Sequence, residues 1–323
     1  MRTGALEWQR RVVTGVWVAA CVTGLAEAQT PEKLELDEPW AIPRTAWGAP
    51  DLQGVWDYRT MTPLQRPSEF AGKAVMTDEE AAAYTARQLE VQADYDLAPS
   101  VHAKWWLDYG KTLTDDKRTS LIVDPPDGRI PDLTGKARQR NALRAERRRA
   151  HPADAAEYRG LSERCLSFGT PRLPGAYNNN YQILQTPDLV VIVSEMVHDV
   201  RVVPLDGRPS SGISQWHGEA RGHWEGDTLV VESTSYTNNG AFRGATDAVR
   251  LVERFRRVGP STINYEITAE DPATWQAPWT VMFPMQKTEQ SMFEYACHEG
   301  NYGLVNILRN ARLEEAAARD TTP

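Results

Sequence analysis

The run Glu219-Ala220-Arg221-Gly222-His223-Trp224-Glu225-Gly226-Asp227-Thr228-Leu229-Val230-Val231 decides the fold. Two β-leaning stretches, the second continuing to Tyr236, flank the tight turn Glu225-Gly226-Asp227 and read as a hairpin. The same pattern repeats on both sides. Upstream, Tyr181 to Thr186, Leu189 to Met196 and Val200 to Leu205 are short β-branched runs that end in the turn Asp206-Gly207. Downstream, Val249 to Val258 and Ile263 to Glu270 flank Gly259-Pro260, and Trp279 to Met285 and Phe293 to His298 form the last predicted pair. About nine strands joined mostly by hairpin-sized turns are the pattern of an antiparallel meander closing into a barrel or sandwich. No helix-length segment separates successive strands, which argues against a parallel α/β sheet.

The first half reads differently. Residues 1–28 carry Arg2, Arg10 and Arg11, an uncharged run from Val12 to Val22 and the small-x-small site Ala26-Glu27-Ala28, the pattern of an export signal. The mature chain is expected to start near Gln29 and to work in the periplasm or outside the cell. Val18-Ala19-Ala20-Cys21 is a passable lipobox, which leaves lipidation at Cys21 open, and Arg10-Arg11 is a weak twin-arginine candidate. The formal charge is −8, and the signal carries three Arg and two Glu, so the mature chain is near −9. That balance excludes a nucleic-acid binder, and no apolar run is long enough to span a membrane.

From 29 to 169 the chain is expected to hold a first strand and a helical annex, and from 170 to 323 the barrel portion, the two forming one compact domain. Thr77-Asp78-Glu79-Glu80 is a capping box ahead of a helix running to about Tyr95, and a second helix is expected from Lys136 to Ala150. Its Lys136, Arg138, Arg140, Arg144, Arg147, Arg148 and Arg149 form either an anion-binding strip or a solvated face. His102-Ala103-Lys104-Trp105-Trp106, between the helices, reads as a lid or as ordinary packing.

Loss of Cys21 with the signal leaves Cys165 and Cys297 in an oxidising compartment, where they are expected to pair. The loop would span 297 − 165 = 132 residues, an entropic stabilisation of roughly 5 kcal/mol as an upper figure. Two unconnected thiols, or a catalytic thiol beside Arg164, are the alternatives.

Three polar clusters sit beside apolar runs: His198 and Asp199 with Arg201, Arg221 with His223 and Glu225, and His298 and Glu299 with Asn301 and Tyr302. A histidine with a carboxylate moves protons near neutral pH, and an arginine holds a carboxylate or enolate oxygen bidentately. Strand alternation puts His198 on the face of Val190, Ile192, Ser194 and Met196, and Glu253 on that of Leu251 and Phe255, so both are expected to face inward. Glu253 is then either a base or half of a structural ion pair. The loop Tyr177-Asn178-Asn179-Asn180-Tyr181 offers an oxyanion site or simply a turn, and Trp224 an apolar wall. His198, His223 and His298 are the only set that suggests zinc, without any ligand spacing to support it. Nucleophile-elbow, Walker, dinucleotide-fingerprint and Cys-x-x-Cys motifs are missing.

Arg164-Cys165-Leu166, Pro174 to Tyr181, Met196 to Asp199, Gly222 to Val231 and Tyr295 to Tyr302 resemble a large family of exported bacterial proteins of unassigned function, over nearly the whole mature chain. In that family both cysteine-bearing segments occur together, similar to what a structural bridge requires. Asp51 to Trp56 carries the Gly-x-Trp that opens the first strand of lipocalin-like barrels, where the Trp plugs one end. The expected fold class is thus mostly β with a helical annex, a lipocalin-like barrel. A more distant likeness in fold style is to hydratases and cyclases acting on isoprenoid or polyketide substrates. The expected function is a cofactor-independent lyase or isomerase for a small apolar or aromatic, oxygenated or carboxylated molecule. His198 and His223 would be acid and base, Arg201 or Arg221 the anion clamp, with Glu253 and His298 beside them and Tyr177 to Tyr181 as polar rim. A periplasmic binding protein for a hydrophobic small molecule and a zinc hydrolase are the alternatives.

Overall fold

Alternation in the quoted run becomes a ladder: β6 (Glu219–Glu225) pairs antiparallel with β7 (Thr228–Thr234), from Glu219 opposite Thr234 to Glu225 opposite Thr228. The computed structural model describes residues 40–97, 108–237 and 242–320. The expected signal, Cys21 and the segment His102 to Trp106 lie outside the described residues. The other strands are β1 (Gly54–Asp57), β2 (Ile122–Asp124), β3 (Asn180–Gln185), β4 (Leu189–Ser194), β5 (Val200–Pro204), β8 (Arg250–Gly259), β9 (Thr262–Glu270) and β10 (Trp279–Thr288). From Trp40 onward the chain is one compact unit.

The strands follow the order β5-β4-β3-β1-β10-β9-β8-β7-β6, every neighbour antiparallel, with β2 pairing the early part of β10. Nine alternating strands bring β5 and β6 to the seam running in the same direction, and no ladder joins them among the described residues. Side chains fill the seam instead. Val203 and Leu205 lie against Gly222, where a Cβ would come within 2.7 Å of both. The result is a nearly closed antiparallel barrel.

The two ends of this barrel differ. Where β3 passes to β4, β6 to β7 and β8 to β9, the turns have two or three residues; at the opposite end the strands are joined by long loops. Inward positions repeat every second residue, as the pleat requires: Leu251, Glu253 and Phe255 on β8, Ile263, Tyr265 and Ile267 on β9, Val281, Phe283 and Met285 on β10 are all buried. Large rings fill the interior, so it is a packed core. Trp56 is fully buried and donates its Nε1 hydrogen to the Leu52 carbonyl, with the Arg257 guanidinium 5.6 Å above its ring, a plug near the tight-turn end.

Among the described residues the annex has three helices, α1 (Asp78–Leu97), α2 (Gly135–Ala150) and α3 (Tyr302–Asp320). The capping box forms as read: the Glu80 amide donates to Thr77 Oγ1 at 3.2 Å and the Thr77 amide to Glu80 Oε2 at 2.8 Å. Among the described residues no helix is long and apolar enough to cross a membrane. Two expectations need correction. Helix α3 was not foreseen, so the annex is not confined to the first half. Phe293 to His298 is not a strand, because β10 is already flanked by β9 on one side and by β1 and β2 on the other, which leaves no ladder for it to join. Instead Cys297 is tied to Cys165, with Cα atoms 5.7 Å apart, a disulfide that fits an oxidising compartment.

Candidate functional site

Two polar centres emerge, one inside the barrel and one among the long loops. Inside, the alternation that turns Arg201 and Val203 inward on β5 meets that which turns Glu253 inward on β8. The Arg201 guanidinium grips the Glu253 carboxylate bidentately, Nη2 donating to Oε1 at 2.8 Å and Nη1 to Oε2, and the Tyr265 hydroxyl donates to Oε1 as well. Side-chain exposure is 3% for Arg201 and 0% for Glu253. Burial works against the Arg201 charge, but Glu253 outweighs it and holds the guanidinium above its ordinary pKa. Burial also pushes the Tyr181 hydroxyl up to about 12, and that of Tyr265 well up, with Glu253 adding to the second. Glu253 is therefore half of a structural ion pair. Both of its oxygens are bonded, and its side chain is shielded from solvent.

The loop end carries a cleft of about 490 Å³, between residues 161–175 and Phe242-Arg243. Leu161, Phe168, Leu173 and Phe242 give it apolar walls, and Arg172 and Arg243 bring two cations. Arg172 lies 5.6 Å from the Phe168 ring centroid and bonds the Phe168 carbonyl at 3.3 Å, while its backbone amide donates to the Tyr181 hydroxyl at 2.6 Å, tying the cleft loop to the barrel. Arg243 is held at φ 50°, a left-handed conformation unusual for a residue with a side chain, and burial lowers its pKa. Neither arginine forms an ion pair with a carboxylate among the described residues.

Ser167 lines the cleft, and behind it stand a carboxylate and a histidine. Ser167 Oγ donates to Asp199 Oδ2 at 3.1 Å and accepts from the Gly169 amide at 2.8 Å. His217 Nε2 lies 3.0 Å from Ser167 Oγ and 3.3 Å from Asp199 Oδ1. One ring nitrogen thus faces both partners, unlike a relay in which the two nitrogens face serine and carboxylate separately. Sequence reasoning missed His217, although Glu219 stands two residues on, the same spacing as Glu225 from His223. Gly218, at φ 68° and packed on the Tyr236 ring, sets the approach of His217 to β6.

The other expected residues disperse. His198 is exposed, not inward, because β4 stops at Ser194 and a turn with Val197 at φ 58° and His198 at φ 44° breaks the alternation. His223 is exposed and paired with Glu225 at 3.2 Å. Gly222 beside it faces Val203 and Leu205, at the opposite end of β5 from His198, so the two histidines are not brought together. Arg221 bonds Glu219 and the carbonyls of Arg208 and Pro209, clipping a loop. His298 and Tyr302 are exposed on the C-terminal segment. Among the described residues no three His, Cys, Asp or Glu side chains are grouped so as to hold a metal ion, so the three histidines do not form a zinc set.

Asn179 is buried and braces its own loop, its side chain bonding Gly175 at both backbone atoms and the Asp108 carbonyl. Asn180 donates to Glu195 Oε2 at 2.8 Å, Asn178 makes the turn at φ 52°, and Tyr177 lies parallel to Tyr295 with centroids 6.3 Å apart. Trp224 packs against the barrel core. On α2, Arg140 bonds Gly244 and Thr274, and Arg147 covers the Tyr158 ring, so part of the basic face is used in packing. Comparison with protein-family models, with curated proteins and with solved structures returned no match.

Proposed function

We propose that this is an exported protein, periplasmic or secreted, that binds a small carboxylated molecule with an apolar or aromatic body in the cleft of the loop end. The observation that carries the reading is the pair Arg172 and Arg243, lining an apolar cleft without a carboxylate partner among the described residues. An arginine beside rings suits a flat anion, which it binds through paired N–H donors. The unusual backbone at Arg243 supports the same reading, since strained residues gather at ligand sites.

The test uses 4-fluorobenzoate as probe, followed by fluorine NMR against the purified protein. Binding is expected, and Arg243→Ala should weaken it roughly tenfold or more, the usual worth of a charged hydrogen bond. Probe affinity that is equal in both proteins removes the arginine cleft as the site.

A second reading, acid/base chemistry of the lyase or isomerase class, is favoured by the 3.0 Å approach of His217 to Ser167 in the cleft wall. It replaces the His198 and His223 assignment. Turnover of carboxylated aromatics or terpenoids that vanishes in His217→Ala, while probe binding persists, would establish it; bound ligand recovered unchanged leaves the binding reading alone.

A further inference from the structure

The cleft loop is held from outside by the C-terminal segment. After β10 the chain lines a shared hollow with β1 and β3, Gln290 and Met292 facing it together with Gly54 and Gln182. The Phe293 amide then donates to Glu195 Oε1 at 2.9 Å. The Tyr295 ring packs edge-on against Phe168 at 5.7 Å and parallel to Tyr177. Cys297 bonds Cys165, and Asn301 Nδ2 donates to the Glu163 carbonyl at 2.8 Å. Phe168 is the cleft ring that carries Arg172. A continuous line of contacts therefore runs from the disulfide through Tyr295 and Phe168 to the cleft cation. Residues 159–179 contain no strand or helix and Cys165 sits at φ 53°, so the loop is held by side-chain anchors, the bridge and Tyr295 on this side and Ser167 to Asp199, the Arg172 amide to the Tyr181 hydroxyl and Asn179 to Gly175 on the other. Burial pushes the Tyr295 hydroxyl up to about 12, so the ring meets its neighbours neutral.

We propose that Tyr295 is a positioning residue of the cleft and that the Cys165–Cys297 bridge is the latch that keeps it there, so that the cleft is assembled only in the oxidised protein. The inference rests on the binding reading for its consequence, though not for its structural content. Opening the latch needs a dithiol reductant: two electrons and two protons pass to the S–S bond, two thiols form and the reductant closes to its own disulfide.

Hydrogen exchange of the full chain, read by mass spectrometry before and after reduction, tests it. Amides of 163–177 and 293–301 are expected to exchange at least tenfold faster on reduction while β6 to β9 keep their protection. Tyr295→Ala with the bridge intact should speed exchange in 168–177, whereas Tyr295→Phe should not. The mutant pair decides the matter if reduction loosens the barrel too. Unchanged exchange in 168–177 for Tyr295→Ala overturns the proposal. In the oxidised wild type, absence of 4-fluorobenzoate binding would overturn the binding reading and leave the latch to stand or fall on exchange alone.

Discussion

The barrel interior and the loop-end cleft each combine arginine with a carboxylate nearby, and they differ in what those groups have left to do. Arg201 and Glu253 are buried and paired with one another, with Tyr265 completing the carboxylate. Arg172 and Arg243 stand at an open cleft, and Asp199 bonds Ser167 beside it. A buried charge whose partners are complete belongs to the scaffold, because removing any partner strands the others in a low-dielectric core. A cation without an acidic partner at a cleft retains capacity for a ligand.

The sharpest way to break this contrast is inside. Glu253→Ala leaves Arg201 uncompensated and should cost about 3–5 kcal/mol in urea unfolding, whereas replacing both residues with methionine should cost far less. Equal losses in the two variants would mean that the pair is not acting as one unit. At the seam of the same barrel, Gly222→Ala forces a Cβ to within 2.7 Å of Val203 and Leu205, and about 1–3 kcal/mol of destabilisation is expected in thermal melts.

The loop end should respond in the opposite manner. Arg243→Ala is expected to change stability by less than about 0.5 kcal/mol while weakening the benzoate probe. A large loss of stability would move Arg243 to the scaffold side. The smallest effect concerns pH. The Ser210 hydroxyl, ahead of the Ser211 amide and Arg221 and against some burial, holds the Glu219 carboxyl at about 2. Its folded pKa lies below its ordinary 4.5, so its contribution is complete above about pH 4.5 and fades as pH falls towards 2. Exchange at 210–212 should rise in that window before the barrel unfolds. Exchange that stays flat to pH 2 would show that Glu219 does not clip this loop.

Much of the frame was legible because local rules govern it. Alternation on β8 placed Glu253 inward without coordinates, and the capping box at Thr77 and the helix from Lys136 were read directly. The same rule failed at His198, where it was extended past the end of β4 through two left-handed residues that no periodicity announces. Phe293 to His298 misled for a different reason: its expected partner β10 already has β9 on one side and β1 and β2 on the other. Helix α3 was overlooked although Asn306 to Arg319 is rich in helix-favouring residues.

The sequence by itself determined most of the antiparallel strands and their turns, the capping box at Thr77, the inward side of β8 and the pairing of two cysteines given an oxidising compartment. These depend on spacing within a few residues or on simple counting. Only the tertiary structure decided that Arg201 pairs with Glu253, that Ser167, Asp199 and His217 meet, and that the cleft unites residues 161–175 with 242–243. Those contacts join positions 18 to 82 residues apart. Their geometry follows from strand order and barrel closure, which local periodicity does not encode.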